Sequence, residues 1–492
     1  MIIKHEKTSA LLLALLILTA MFSACGSAAG QDAGGTAPQD AGSDTASAET
    51  EADTGDGFVH DDLGDLDFSG KTFDILYAAG FFFSPYDPES ENGEVLNDAA
   101  YQRNRDVEER FNASIAYHVL EGSYTEPGEA LKKSVMAGDS DYDLVIVHPF
   151  GGLTGLISGG IVGDWNALDN IDLSKPYWNA SFNRNLAIGP LLPCSSSDFI
   201  YFNAGCVYFN REIQESIGLD SPYLSVRDGS WTWEKLRGAA ASAYTDLNGN
   251  GSEDTDDRFG FTVVLNHRMI PNTYSCGIMS TSFSQDGSPS FENIASEKMQ
   301  SVVDMFYKLL YESSGVHAFK SGEDELSIFR GGRSLFTEYV TQNIAVLRDL
   351  EFDYGMLPLP KYDEAQKDYV TLAQSNVMVY PSNAEDLSFT GAMIEALSCE
   401  AYNKVMPALY ETTFENKYLR DDDSYAMFNI IKSSLTYDIL WNYTEGSDLC
   451  YFFNKLMEKG SADLASFYSK YGEKTQKTLT DFFEAARSAF GA

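Results

Sequence analysis

An α/β protein in two lobes is predicted here, and three observations carry the prediction. Between Lys71 and His148 the apolar pattern runs strand, helix, strand, helix, strand, the order that builds parallel βαβ units. The chain has 492 residues, more than one ordinary hydrophobic core supports, so two lobes or domains are expected. From about Asp386 the pattern stays helical nearly to the end.

The elements follow in order. Lys4 and Lys7 precede an apolar run from Leu11 to Phe22, long enough for an export signal and short of the ~20 residues that span a bilayer. The run ends in Phe22-Ser23-Ala24-Cys25-Gly26, which resembles a bacterial lipobox. Residues 1–24 are therefore expected to be a lipoprotein signal peptide, and Cys25 the lipidated residue. Residues 26–57 contain no aromatic and no basic residue and cannot bury enough apolar surface to fold. With the following residues they are expected to form a disordered acidic tether over 25–67, extended by its own charge.

The globular part should start near Phe68. Lys71 to Ala78 reads as a buried strand, followed by a loop with Phe81, Phe82, Phe83 and Tyr86 and a helix around Glu94 to Phe111. A strand from Ser114 to Val119, a helix across Ala130 to Ala137 and a strand from Asp143 to His148 complete the first unit. Gly70-Lys71-Thr72 is not a phosphate loop: the earlier glycine, Gly64, is out of register and the triplet leads into a strand. Phe199 to Phe209 reads as a strand running into a helix that ends near Gly218. Thr232 is placed to cap a helix reaching Tyr244, with Glu234 in its first turn. A longer helix is expected over roughly Ala295 to Ser314, and a strand that stops at Pro381.

Composition narrows the function. The net charge is −39, which repels nucleic-acid phosphates and anionic membrane surfaces, so no nucleic-acid role is expected. Beyond Cys25 the cysteines are Cys194, Cys206, Cys276, Cys399 and Cys450; none stands in CxxC spacing. A Cys194–Cys206 disulfide is one reading and buried free thiols the other. None of the nucleophile-elbow, HExxH, GxGxxG or Walker signatures is present.

Several stretches together resemble the extracellular solute-binding proteins of sugar-type ABC importers. They are the lipobox and tether, RNRDVEERFN, MAGDSDYDLVIVH, KPYWN, FIYFNAGCVYFNREIQESIGL, SWTWEKL with DLNGNGSEDTDDRFGF, FRGGRSLF, YGMLPLPKY and the helical tail. Maltose-binding protein is a distant relative of that family by fold. The resemblance implies a periplasmic-binding-protein-like (class II) fold with a hinge and a helical C-terminal tail. It implies crossovers near Ser195 to Tyr201, near Leu335 and around Leu397 to Tyr402. One lobe would then be 68–195 plus 335–398, the other 196–334 plus 399–492. It also implies a lipid-anchored monomer on the extracellular face of the membrane, not an enzyme, that captures a mono- or oligosaccharide and delivers it to ABC permease subunits. The competing readings are a surface glycan-active enzyme, an adhesin, or a binder of another solute such as a peptide.

A sugar offers apolar CH faces to an aromatic ring and hydroxyls to polar side chains. Candidates at strand ends and cleft loops are Phe82, Phe83, His148, Phe150, Tyr201, Asn203, Tyr274, Tyr339, Gln374, Ser375, Trp441 and Tyr443. Separately, Asp246, Asn248, Asn250, Ser252, Asp254 and Asp257 stand at the first, third, fifth, seventh, ninth and twelfth places of an EF-hand-type loop, with Gly251 at the sixth. That spacing suits structural Ca²⁺. The competing reading is an acidic turn held by its own Asx hydrogen bonds.

Overall fold

The apolar run Thr72–Ala78 forms β1 at the middle of the first sheet, with Ser114–Leu120 (β2) and Leu144–Val147 (β3) parallel to it on either side. All four residues of β3 are buried, as expected of a parallel strand covered on both faces. Each such side chain contributes about 1.5–3 kcal/mol by leaving water. The helices Val95–Phe111 and Glu126–Ala137 make the two crossovers. The structure is a computed structural model describing residues 58–80, 87–285, 287–347, 350–409 and 422–491.

The second sheet is built from Gly205–Asn210 (β4) and Phe259–Leu265 (β5), then, after a short hairpin of Ser282–Phe283 (β6) and Pro289–Ser290 (β7), from Val316–Lys320 (β8), Ser334–Val340 (β9) and Tyr354–Pro358 (β10). Its order is β10-β4-β9-β5-β8. β8, β5 and β9 are parallel, and β4 runs against both β9 and β10. The helix Trp233–Ala243 packs on β5, and Thr232 Oγ1 accepts the Lys235 amide at 3.2 Å, the cap the sequence predicts. Gly260 permits this approach: a Cβ there would lie 2.0 Å from the carbonyl oxygen of Ala240.

The first sheet takes strands from distant parts of the chain, whereas the second is built from the unbroken stretch 205–358. Val377–Val379 (β12) returns to the first sheet, antiparallel to β3, after Thr371–Leu372 (β11) has paired with Leu435–Thr436 (β13). Ser195 bridges Met378 and Ala204 bridges Ala373, so two crossings lie side by side between the sheets, with β13 beside them. This is the two-lobed α/β architecture with a hinge and a helical tail.

Four expectations are corrected. The expected strand Phe199–Phe209 starts only at Gly205, because residues 195–204 are the crossing itself and pair through isolated bridges. The second crossing is not at Leu335: all seven residues of β9 are buried between β4 and β5, so residues 335–358 belong to the second sheet and the chain leaves it near 372–377. The helix Leu387–Glu400 does not cross at Leu397 to Tyr402. It continues through a π turn, Ala401–Val405, against the helix Val95–Phe111 of the first lobe. Nor is the tail confined to the second lobe: the helix Leu464–Phe490 packs on Leu153–Ser158 of the first lobe and on Glu292–Ala295 of the second.

Residues 58–67, expected to belong to the tether, are part of the fold, and 25–57 lie outside the described residues. Residues 58–67 are sewn to the first lobe because their polar groups find matched partners there. Arg110 donates to both carboxylate oxygens of Asp61 at 2.7 and 2.9 Å, Lys175 pairs with Asp62 at 2.6 Å, and Asn403 exchanges two hydrogen bonds with the backbone of Val59 at 3.1 and 2.8 Å. The cysteines Cys194, Cys206, Cys276, Cys399 and Cys450 are free and buried, so the Cys194–Cys206 disulfide does not form. Among the described residues no helix is long and apolar enough to cross a membrane.

Candidate functional site at the junction of the lobes

Strands β3 of the first sheet and β5 of the second both end toward the crossings, and a histidine follows each. His148 comes directly after β3, and its Nδ1 accepts the amide of Phe150 at 3.0 Å. Burial pushes the His148 imidazole down to about 4, and charge on His267, just beyond β5, pushes the same way. His267 is itself lowered, first by burial and then by its neighbour Arg268. Two imidazoles from opposite lobes therefore lie within electrostatic reach, both held neutral.

Rings gather on the His148 side. Tyr124 lies 4.8 Å and Phe150 5.2 Å from the His148 ring, centroid to centroid. Phe150 in turn lies 4.7 Å from Trp441 and 6.3 Å from Tyr451. Trp441 sits in the short helix Ile439–Asn442, on the chain segment that follows β13.

The second lobe supplies a polar wall. Tyr339 is buried near the end of β9, with the Arg268 guanidinium 4.9 Å from its ring centre, and Arg268 is paired with Glu325. The adjacent Glu338 is buried and accepts from Asn272 Nδ2 at 2.9 Å. Burial raises this carboxyl to about 8 against the pull of Asn272 and Arg268, so it stays protonated at neutral pH.

The hinge residues tie these parts together. The Gln374 amide donates to the Asn203 carbonyl at 2.9 Å, and its side chain donates to the His267 carbonyl at 3.3 Å. Ser375 Oγ accepts the Asn203 amide at 3.1 Å. Tyr201 stacks on Phe202 at 5.9 Å and is buried. Asn203 Oδ1, Asn272 Oδ1 and Trp441 Nε1 are buried without a hydrogen-bond partner among the described residues. Each such group costs free energy until something supplies its partner.

Comparison with solved structures decides the architecture. The sugar-binding protein MalE of the phytopathogen Xanthomonas citri superimposes with a TM-score of 0.58 at 12% identity, over 84% of this chain and 98% of the other. The cyclic alpha-maltosyl-1,6-maltose binding protein of Arthrobacter globiformis gives 0.54 at 12%, over 85% and 99%. An ABC transporter solute-binding protein of Thermotoga lettingae bound with alpha-D-tagatose gives 0.51 at 14%, over 83% and 100%.

The fold is that of the ABC-transporter solute-binding proteins.

At these identities the likeness is one of fold alone. No protein-family model matches the chain, and no curated protein matches it in sequence.

Within this solute-binding fold the predicted residues divide. His148, Phe150 and Trp441 form one ring cluster, and Tyr201, Asn203, Gln374 and Ser375 lie on the crossings. Tyr339 lines the polar wall. Tyr274 is buried in the short helix Pro271–Ser275. Tyr443 is core: its hydroxyl donates to the Leu186 carbonyl at 2.7 Å and its ring meets Phe482. Phe82, Phe83 and Cys25 lie outside the described residues. Sequence reasoning passed over Tyr124, His267, Arg268, Asn272 and Tyr451. The strand-end rule that picked out His148 would have found His267 after FGFTVVL; nothing local marks Tyr124 or Tyr451.

The acidic loop folds on itself. Asp246 accepts the amides of Gly249 and Gly251 at 2.6 and 2.8 Å, while Asn248 and Asn250 turn their side-chain N–H groups to Asp254 at 3.2 and 2.6 Å. Asn250 Oδ1 accepts the Ser252 amide at 2.7 Å, and Asp257 accepts from Tyr244 and the Leu247 amide. Among the described residues no three His, Cys, Asp or Glu side chains converge as a metal nest. A cation here would need both asparagines to turn an oxygen inward.

Proposed function

We propose that this chain is a substrate-binding protein that closes its lobes on a mono- or oligosaccharide and hands it to the permease of an ABC importer. The observation that carries the reading is the Phe150–Trp441 ring pair at the end of β3, with Trp441 Nε1 beside it and Asn203 Oδ1 on the crossing, both unpartnered among the described residues. Rings cover the apolar face of a sugar, and a buried indole N–H and amide oxygen are a donor and an acceptor for its hydroxyls. The solved structures of this fold named above are described as sugar-binding, which supports the same ligand class. Closure would be a population shift driven by ligand contacts to both lobes.

The reading includes a monomer held at the outer face of the membrane by lipid on Cys25. It also includes Ca²⁺ in the 246–257 loop, on the spacing of its oxygen side chains and Gly251. A thermal-shift and calorimetric screen of the mature protein against glycans tests the main claim. One sugar should stabilise the protein strongly without being consumed; release of cleaved product from any glycan overturns the reading. Membrane attachment should be lost in Cys25→Ala, and calorimetric Ca²⁺ binding in Asp246→Ala.

A further inference from the structure

The exit of β3 is held in an unusual way. Gly151 donates its amide to the His148 carbonyl at 2.7 Å, and Phe150 donates its amide to the His148 ring. The ring nitrogen thus does for this turn what an Asx oxygen does elsewhere, and it can do so only while it carries no proton. The turn it holds presents Phe150 to Trp441.

We propose that His148 is a positioning residue: its neutral Nδ1, by holding the Phe150 amide, fixes the Phe150–Trp441 ring pair against which the sugar stacks, and acid releases both the turn and the ligand. This rests on the carbohydrate-binding reading above and adds a regulation to that site.

The surroundings favour the neutral ring. Tyr124 packs on it from the loop before the helix Glu126–Ala137, Tyr451 reaches Phe150 from the C-terminal segment, and His267 faces it from the end of β5 with Arg268 beside it. Among the described residues of the neighbouring elements, Glu126 accepts the Ser123 amide, Glu445 accepts the Thr154 hydroxyl, and Lys455, beside the Tyr451 ring, pairs with Asp448. A proton on Nδ1 would replace an accepted hydrogen bond by two donors facing each other. It would also place a positive charge on a ring whose burial and whose neighbour His267 both oppose it.

The test measures affinity for the sugar found in the screen at pH 7 and pH 3, a full step below the His148 value, with circular dichroism confirming the fold at both, on the mature protein and two variants. Wild type should weaken about tenfold or more across that interval, by proton linkage. His148→Leu, which lacks the acceptor, should bind weakly at both values. His148→Asn, whose Oδ1 can accept the same amide and does not titrate, should restore most of the binding and flatten the profile. A wild-type profile that is already flat, a His148→Asn profile as steep as wild type, or a His148→Leu that binds like wild type overturns the proposal. Should no carbohydrate bind at any pH, the carbohydrate reading fails and the positioning claim is read in the unliganded protein. Nitrogen-15 NMR should then show the Nε2–H tautomer of His148 at pH 7. The Trp441 indole resonance should move as that ring titrates in wild type and stay fixed in His148→Asn; an indole resonance that ignores the titration refutes it.

Discussion

Glu395→Gln tests how the first lobe is locked. Glu395 lies on the helix Leu387–Glu400, fully buried, and accepts the Tyr177 hydroxyl at 2.5 Å and the Trp178 indole N–H at 2.9 Å. It therefore fastens the KPYWN turn to the helix. Burial raises this carboxyl from 4.5 to about 7, although both donors pull the other way. A carboxyl whose pKa is raised on folding gives its full stability below the unfolded value, and that contribution fades as pH rises through the folded one. The window is thus about pH 4.5 to 7, at up to ~1.4 kcal/mol per pH step, or on the order of 3 kcal/mol in all. Glutamine is neutral throughout. Its amide can turn so that the oxygen accepts from Trp178 and the NH₂ donates to the Tyr177 oxygen, keeping both hydrogen bonds. Urea unfolding of wild type and variant at several values from pH 4.5 to 8, followed by tryptophan fluorescence, isolates this one group as a difference. The variant should gain on wild type by about 3 kcal/mol across the window. Parallel pH profiles, or a variant that falls further behind at pH 8, refute the reasoning.

Three further outcomes are expected. Phe150→Ala removes a ring face covering roughly 80 Å² of sugar, about 2 kcal/mol or some thirtyfold in affinity, and calorimetry should show it with the fold intact. Gly260→Ala drives a methyl onto the Ala240 carbonyl, backbone that cannot swing aside, and should cost about 3 kcal/mol or more in a denaturant titration. Arg110→Ala strands the nearly buried Asp61 carboxylate, so the 58–67 segment should peel off rather than bear an unpaired charge. Since Cys399 Sγ donates to the Val59 carbonyl beneath that segment, its thiol should become reactive in Arg110→Ala under native conditions, with Cys399→Ser as the control.

What could be read from the sequence follows from how local each constraint is. β1 and β3 were legible because both are dense in apolar residues, and β3, covered on both faces, reads as an unbroken apolar run. The sheet to which SLFTEYV belongs was not: that run fits either sheet, and only its pairing with β4 and β5 settles it. The site shows the same split. His148 and Phe150 follow from a rule about strand ends, whereas Tyr124 and Tyr451 reach them from segments with no local mark. The rings of two stretches that stood out as motifs, SWTWEKL and KPYWN, are structural, and the reason is physical. Trp231 and Trp233 are buried with their indole N–H groups bound to the Pro358 carbonyl and to Ser275 Oγ at 2.9 and 3.0 Å, and Tyr177 and Trp178 are bound to Glu395. A large ring with one polar tip, sunk in a core, needs a specific partner at a specific distance, so few residue types suit its position. The residues proposed to meet a ligand obey a looser rule: among the described residues Asn203 and Trp441 keep a polar atom without a partner, and that vacancy exists only in three dimensions. The most distinctive sequence in such a chain therefore identifies its scaffold, while the recognition proposed for its ligand rests on bonds the folded protein leaves unmade.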